Sequence, residues 1–391
     1  MVGEWRRTKL GDVVEINPEA LGSDWSYDHI RYIDISSVGE GFLIESPRYL
    51  SITDAPSRAK RLVRAGDTIL STVRPNRRSM FFIRESQPDL VVSTGFAVLR
   101  PREGMIDPRY LYACVFDQNF TEYLVSREKG AAYPAVLPED IADAIINLPP
   151  LPEQRAIAAV LGALDDKIEL NRRMNRTLEA IAQAVFRHWF VENEEAEGWE
   201  VAPLPEIMEI NPPRLLRKGE VAPYLDMANM PTQGHRGIEW VDRPYGSGTK
   251  FINGDTLLAR ITPCLENGKT AFVDFLENEQ VGWGSTEYIV FCPKPPIPPE
   301  FGYYLARSEE LRNHAIVNMT GTSGRQRTPA SCFDNYLISV PPVELAKKFG
   351  EFAKSIMAKI KANDEQSRTL AALRDALLPK LLRGEVRVRY R

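Results

Sequence analysis

PEQRAIAAVLGALDDKIELNRRMNRTLEAIAQAVFRHWF, from Pro152 to Phe190, contains a single proline, and it is the first residue. Proline is admissible at a helix start, where its missing N–H has no intrahelical acceptor, and Glu153 follows in the first turn, where the helix dipole favours a carboxylate. The stretch therefore predicts one unbroken helix. At ~1.5 Å per residue such a helix spans ~60 Å, too long to be packed around one small domain. Its apolar residues recur in alternating steps of three and four: Ile157, Leu161, Leu164, Ile168, Leu178, Ile181 and Val185. So narrow a seam points to coiled-coil pairing, although the same spacing also fits an amphipathic helix lying on its own domain.

A candidate partner lies in the same chain. EFAKSIMAKIKANDEQSRTLAALRDALLPKLL, Glu351 to Leu382, offers Phe352, Ile356, Ile360, Leu370, Leu373, Leu377 and Leu381, and KIELNRRMNRTL (Lys167 to Leu178) matches KIKANDEQSRTL (Lys359 to Leu370). Both seams are interrupted in matching register, by Asn171 and Asn363. If the helices run antiparallel about a pseudo-twofold axis, only mid-helix residues meet their own repeat mates. Asn171 and Asn363 are then expected to face each other and fix register; the alternative is that both lie on solvated faces. A stiff spacer is expected to exclude internal proline. Gly162 is a mild departure, costing ~1 kcal/mol against alanine.

The repeat extends outward from the helices. VEINPEAL (Val14 to Leu21) answers MEINPPRL (Met208 to Leu215), and RYIDIS (Arg31 to Ser36) answers PYLDMA (Pro223 to Ala228). LVRAGDTILSTVRP (Leu62 to Pro75) answers FINGDTLLARITP (Phe251 to Pro263), and STGFAVLRP (Ser93 to Pro101) answers STEYIVFCP (Ser285 to Pro293). The order never changes, so the chain says one thing twice. Each copy begins with short runs rich in Val, Ile, Thr, Tyr and Phe, punctuated by Gly, Pro and Asn, and interrupted by helical pieces at Pro108 to Ser126 and Pro299 to Ile316. The expected fold is α+β: a strand-rich domain over 1–150, a spacer helix over 151–191, a second such domain over 198–342 and a second helix over 343–383, the helices forming an antiparallel coiled coil.

Composition sets outer bounds. Among 391 residues, 43% are hydrophobic and 26% charged, the profile of a folded globular protein. No run approaches the apolar length of a membrane span and the N-terminus has no signal-like stretch, so a cytoplasmic location is expected. A net charge of −4 argues against indiscriminate binding to polyanions by the whole surface. Four isolated cysteines and four scattered histidines show no metal-ligand spacing, so no metal is expected.

A strand-rich domain, then PPLPEQ (Pro149 to Gln154) opening a long helix, then the whole plan repeated and closed by LLPKLLRGEV (Leu377 to Val386), resembles the specificity subunit of Type I DNA restriction-modification systems. The resemblance covers essentially the full chain. It implies two target-recognition domains, each reading one half of a split, asymmetric target in double-stranded DNA, with the chain termini close together. The helix pair would act as a ruler and dock two methyltransferase (modification) subunits, with restriction subunits joining the full complex. It also implies a non-catalytic chain without a cofactor of its own, S-adenosylmethionine being bound by the methyltransferase. Alternatives are a two-domain protein-binding scaffold and a specificity subunit of a related defence system. An enzyme is a further rival, because INPPR (Ile210 to Arg214) is similar to the NPP-type motif of amino-methyltransferases. Its repeat mate INPEA, and the lack of a convincing glycine-rich cofactor turn, weigh against it.

Phosphate contacts position a DNA-binding protein and base contacts specify, so candidates are Arg and Lys beside Asn, Gln, Ser and Thr in loops. One region is SRAKRLVR, with Arg58, Lys60 and Arg61. The second is the loop after the GDT strand, with Arg74, Asn76, Arg77 and Arg78, matched in the second half by Asn267 and Lys269. The third is TGTSGRQRTP, with Thr322, Ser323, Arg325, Gln326 and Arg327; its less polar counterpart KGAAYPAVLP leaves Lys129 and Tyr133. Each of these stretches also reads as a solvated face or an ordinary flexible turn.

Overall fold

The computed structural model describes residues 5–22, 25–85, 87–130, 134–322 and 324–388. These fall into two compact units, one made of Met1–Glu169 with Ser367–Arg391 and the other of Leu170–Gln366.

Unit 1 contains two four-stranded sheets. In one, the strands run in the order Val14–Ile16, Phe96–Pro101, Thr68–Ser71, Met80–Phe82, all antiparallel. In the other the order is Arg48–Ser51, His29–Ile33, Leu90–Ser93, Ala59–Leu62, with the middle pair parallel. Unit 2 repeats both orders. Its first sheet runs Met208–Ile210, Tyr288–Pro293, Thr256–Ala259, Thr270–Phe272, and its second Val241–Pro244, Val221–Leu225, Gly282–Gly284, Thr249–Phe251, again with the middle pair parallel. A two-stranded antiparallel ribbon completes each unit, Arg6–Lys9 with Ile145–Leu148 and Val201–Pro203 with Leu337–Ser339.

The shared motifs mark shared joints. In each GDT the aspartate is buried and caps its own turn: Asp67 accepts from Arg64 N at 2.8 Å and Asp255 from Ile252 N at 2.9 Å. Each carboxylate also meets an arginine, Asp67 with Arg100 at 2.8 Å and Asp255 with Arg214 at 3.0 Å, so neither charge is buried alone. The asparagine of each NP motif has a left-handed backbone, with φ of 55° at Asn17 and 52° at Asn211, a conformation asparagine tolerates better than most residues. Asn17 exchanges backbone and side-chain hydrogen bonds with Val98, at 2.8 and 2.9 Å, and Asn211 does the same with Val290 at 2.8 and 2.9 Å. The side-chain oxygen of each asparagine is thus engaged in the sheet.

The two long helices run over Leu151–Phe190 and Val343–Leu382. Within each unit their segments are antiparallel. In unit 1, Asp165 pairs with Arg374 at 2.8 Å, while Glu153 pairs with Arg387, and Ile157 and Leu161 share a core with Leu378, Leu381 and Leu382. In unit 2, Asn175 donates to Asp364 at 2.7 Å while Phe186 packs on Phe349 at 5.4 Å between ring centroids. Proline is not excluded: Pro379 lies inside the second helix, near its C-terminal end. Two expected seam positions also miss the buried stripe, Ile181 being 45% and Leu373 47% exposed. In unit 2 the stripe runs instead through Ala182 and Phe186, because helix Pro299–Arg307 presses Phe301 against Phe186 at 5.3 Å. Coiled-coil partner and domain thus share one helix.

The expected single helices after residues 108 and 299 each break in two, as Pro108–Phe116 with Gln118–Ser126 and Pro299–Arg307 with Glu309–Val317. Asp117 and Ser308 sit extended at the breaks, and their side chains accept from Asn119 N and Leu311 N. An N-cap residue starts the next helix only by leaving helical geometry, which ends the one before.

Candidate nucleic-acid interface

Two of the three loop regions singled out in the sequence meet, in the same way, in both units. In unit 1 the loop after strand Thr68–Ser71 lies beside Lys129 and residues 134–136: Arg74 N donates to Pro134 O at 2.8 Å and Val136 N to Thr72 O at 2.9 Å, while Lys129 and Ala135 exchange backbone bonds at 2.9 and 3.0 Å. In unit 2, Thr262 N donates to Gln326 O at 3.0 Å and Thr328 N to Arg260 O at 2.8 Å, while Thr320 and Arg327 exchange bonds at 2.9 Å. The isolated bridges agree, Val73 with Ala135 in one unit and Ile261 with Arg327 in the other. Each unit therefore builds one platform from two loops distant in sequence, at the end of the same strand of the same sheet.

The side chains on the platforms differ. In unit 1, Arg74 and Arg78 flank a short 3-10 turn, Pro75–Arg77, with φ of 51° and 53°, and Asn76 and Arg77 are exposed at its tip. Arg78 points inward. Its guanidinium donates to Glu40 at 2.7 Å, Gln118 at 2.9 Å, Thr121 at 2.8 Å and Phe116 O at 2.6 Å, which makes it the staple that holds the loop down. Lys129 is exposed, 3.8 Å from Asp140. Tyr133 lies outside the described residues.

In unit 2, Asn267 is exposed, whereas the Lys269 ammonium donates to Met227 O. Thr322 and Arg325 are exposed in a turn closed by Arg325 N donating to Thr322 O at 3.0 Å; Gln326 is half-buried, and Ser323 lies outside the described residues. Arg327 forms a two-toothed ion pair with Glu287, from Nε at 2.9 Å to both carboxylate oxygens and from Nη2 at 2.8 Å. Hydrogen bonding to Glu287, and then its charge, push the Arg327 pKa above its usual value.

SRAKRLVR lies apart, on edge strand Ala59–Leu62 of unit 1's other sheet. Arg58 and Lys60 are exposed, and Arg58 O accepts from Thr94 N at 2.8 Å, one residue before Gly95, whose carbonyl holds Thr72 of the platform. Arg61 turns inward and donates to Asn17 Oδ1; burial lowers its pKa. In unit 2, Asn171 is 0% and Asn363 3% exposed, and Asn171 Nδ2 donates to Asn363 O at 3.2 Å and to Gln366 Oε1 at 3.0 Å.

Glu287 is a carboxylate and falls outside a set of cationic, amide and hydroxyl side chains. The signal was present in the repeat, where Ser-Thr-Gly of residues 93–95 stands opposite Ser-Thr-Glu of residues 285–287.

Known proteins resemble the chain in sequence and in fold. A model described as Type I restriction modification DNA specificity domain matches residues 3–180. The chain is 24% identical over 467 aligned positions to the Type I restriction enzyme HindI specificity subunit of Haemophilus influenzae, covering 98% of this chain and 100% of that one. It is 25% identical over 346 positions to the MjaIX specificity subunit of Methanocaldococcus jannaschii, covering 82% and 78%. In fold it is similar to the crystal structure of a Type-I restriction-modification system S subunit from M. genitalium, with a TM-score of 0.54 at 15% identity, covering 97% and 96%.

Proposed function

We infer that this chain belongs to the family of Type I restriction-modification DNA specificity subunits and is the part of a methyltransferase and endonuclease complex that chooses the DNA sequence. Each unit reads one half of a split, asymmetric target in double-stranded DNA. The two long helices set the interval between the halves and dock two methyltransferase subunits, which bind S-adenosylmethionine and carry out the chemistry; restriction subunits join them. The chain itself is non-catalytic. Among the described residues, no helix is long and apolar enough to cross a membrane.

The observation that carries this reading is the duplicated two-loop platform, which has the same backbone pairings in both units and different exposed side chains. One scaffold bearing two sets of polar groups is what reading two unlike half-sites requires. Asn76 and Arg77 with Arg58 and Lys60 in unit 1, and Asn267, Thr322, Arg325 and Arg327 in unit 2, are the proposed contacts. Arg61, Arg78 and Lys269 hold the loops in shape.

The test is to co-express the chain with its methyltransferase and map modified bases across the host DNA by single-molecule sequencing. The expected result is a motif of two specific halves around a gap of fixed length. A complex that forms and modifies DNA without such a motif would refute the reading in favour of a protein-binding scaffold.

A further inference from the structure

The Arg327–Glu287 pair is held from both sides. Glu287 N donates to Ser285 Oγ at 3.1 Å and its carbonyl accepts from Arg260 N at 3.0 Å, just before strand Tyr288–Pro293. Arg327 is fixed by its two backbone bonds to Thr320, each 2.9 Å. The carboxylate occupies the Nε–Nη2 edge of the guanidinium. What remains is the outer edge, Nη1 with the second hydrogen of Nη2, where Nη1 makes only a long contact of 3.4 Å to Arg325 O. The Arg327 side chain is nevertheless 45% exposed, against 22% for Glu287. The cation therefore faces outward and its anchor lies behind it.

A guanidinium free in water loses rotamer freedom on reaching a base edge; one already locked by a carboxylate has lost most of it. Its outer edge offers two parallel donors in one plane, the complement of O6 and N7 on the major-groove edge of guanine. As a stabilising device, an exposed ion pair contributes little. We propose that Glu287 is a positioning residue that presets Arg327 to read one guanine in the half-site bound by unit 2. The proposal rests on the DNA-recognition reading above and adds the base, the reader and its support. Unit 1 has Ala135 at the place of Arg327 and Gly95 at the place of Glu287, so its platform lacks this reader and the two half-sites differ at the corresponding step.

A phosphate oxygen pair would also fit the fork, and the experiment separates the two. The full chain is co-expressed with its methyltransferase as wild type, Arg327→Ala, Arg327→Lys, Glu287→Gln and Glu287→Asp, and modified bases are mapped for each. In Arg327→Ala one guanine of one half-site becomes degenerate, discrimination there falling roughly tenfold to a hundredfold. Arg327→Lys, which keeps the charge and loses the fork, relaxes the same position. Glu287→Gln relaxes it less, and Glu287→Asp restores it in part. Thermal unfolding of each purified complex stays near wild type, because the pair is at the surface.

Three results overturn the proposal while leaving the DNA-recognition reading intact. They are an unchanged motif in Arg327→Ala, uniformly weaker modification of every site with no new degeneracy (a phosphate contact), and degeneracy at a base other than guanine. A wild-type complex with no two-part motif removes both at once.

Discussion

Asn17 and Asn211 each combine a left-handed backbone with a side-chain oxygen that accepts from the strand opposite. Replacing either with alanine adds backbone strain and leaves Val98 N or Val290 N without its acceptor, for a cost of ~1–3 kcal/mol each, measurable by chemical denaturation. Glycine at the same positions should cost less, because it accepts the backbone geometry and loses only the side-chain hydrogen bonds, from Val98 N and Arg61 at position 17 and from Val290 N at position 211. This pair was legible in the sequence as a repeat, though its likeness to a catalytic motif also suggested a different role. His235 was not legible. It is fully buried in unit 2, with Nδ1 3.9 Å from Glu179 and Nε2 3.9 Å from Asp274, and burial, aided by Arg236, Arg307 and Lys361, pushes its pKa down to about 3. The unfolded chain takes up that proton near pH 6.5, so the folded state keeps its full margin above pH 6.5 and loses it as pH falls toward 3, at a limiting slope of ~1.4 kcal/mol per pH unit. Glu179, whose carboxyl is raised by burial, has the opposite sign. Comparing unfolding midpoints at pH 7.5 and 5 with those of His235→Phe isolates the imidazole; an unchanged slope in the variant would contradict this account. No short-range pattern announces such a residue, because the groups around it come from distant parts of the chain.

At the scale of elements, the long helices were the most legible feature, since a pattern kept up over so many residues leaves few competing structures. Their inner detail was less so. A single seam implies one partner for each helix, but Phe186 faces Phe301 and Tyr304 of the domain as well as Phe349 of the other helix. In unit 2 a polar layer crosses the helix pair, where Asn363 Nδ2 donates to Asn175 Oδ1 at 2.8 Å and Asn171 Nδ2 reaches Asn363 O. Truncating Asn171 to alanine removes its hydrogen bonds to Asn363 O and Gln366 Oε1 and should lower stability by ~1–2 kcal/mol. The double change Asn171→Leu with Asn363→Leu should retain stability but lose the single register. Spin labels on the two helix segments would then give a broadened distance distribution; a sharp one would show that apolar packing alone sets the register. The breaks at Asp117 and Ser308 escaped the sequence reading because helix propensity continues across them, and only the capping side chains mark the stop.

For the whole molecule, the two-part plan could be read from the repeat, but the boundaries of its compact units could not. Domain and helix were expected to be successive blocks. Instead unit 2 is one continuous stretch, Leu170–Gln366, holding a segment of each helix, and unit 1 draws its own second segment from the far end of the chain. A fragment spanning 170–366 should therefore fold by itself, with a cooperative thermal transition. A fragment spanning 1–169 should not, because it leaves Ile157 and Leu161 without Leu378, Leu381 and Leu382, and adding a peptide of 367–388 should restore its transition. Glu153 shows how late that closure comes: buried at the start of the first helix, it receives Trp5 Nε1 at 3.1 Å and the Arg387 guanidinium, joining positions near the two ends of the chain. On the ribosome, synthesis at ~5–20 residues per second puts ten seconds or more between emergence of Ile157 and of Leu381. During that interval the part made first waits, apolar face open, while the part made second finishes; the order of completion is the reverse of the order of synthesis.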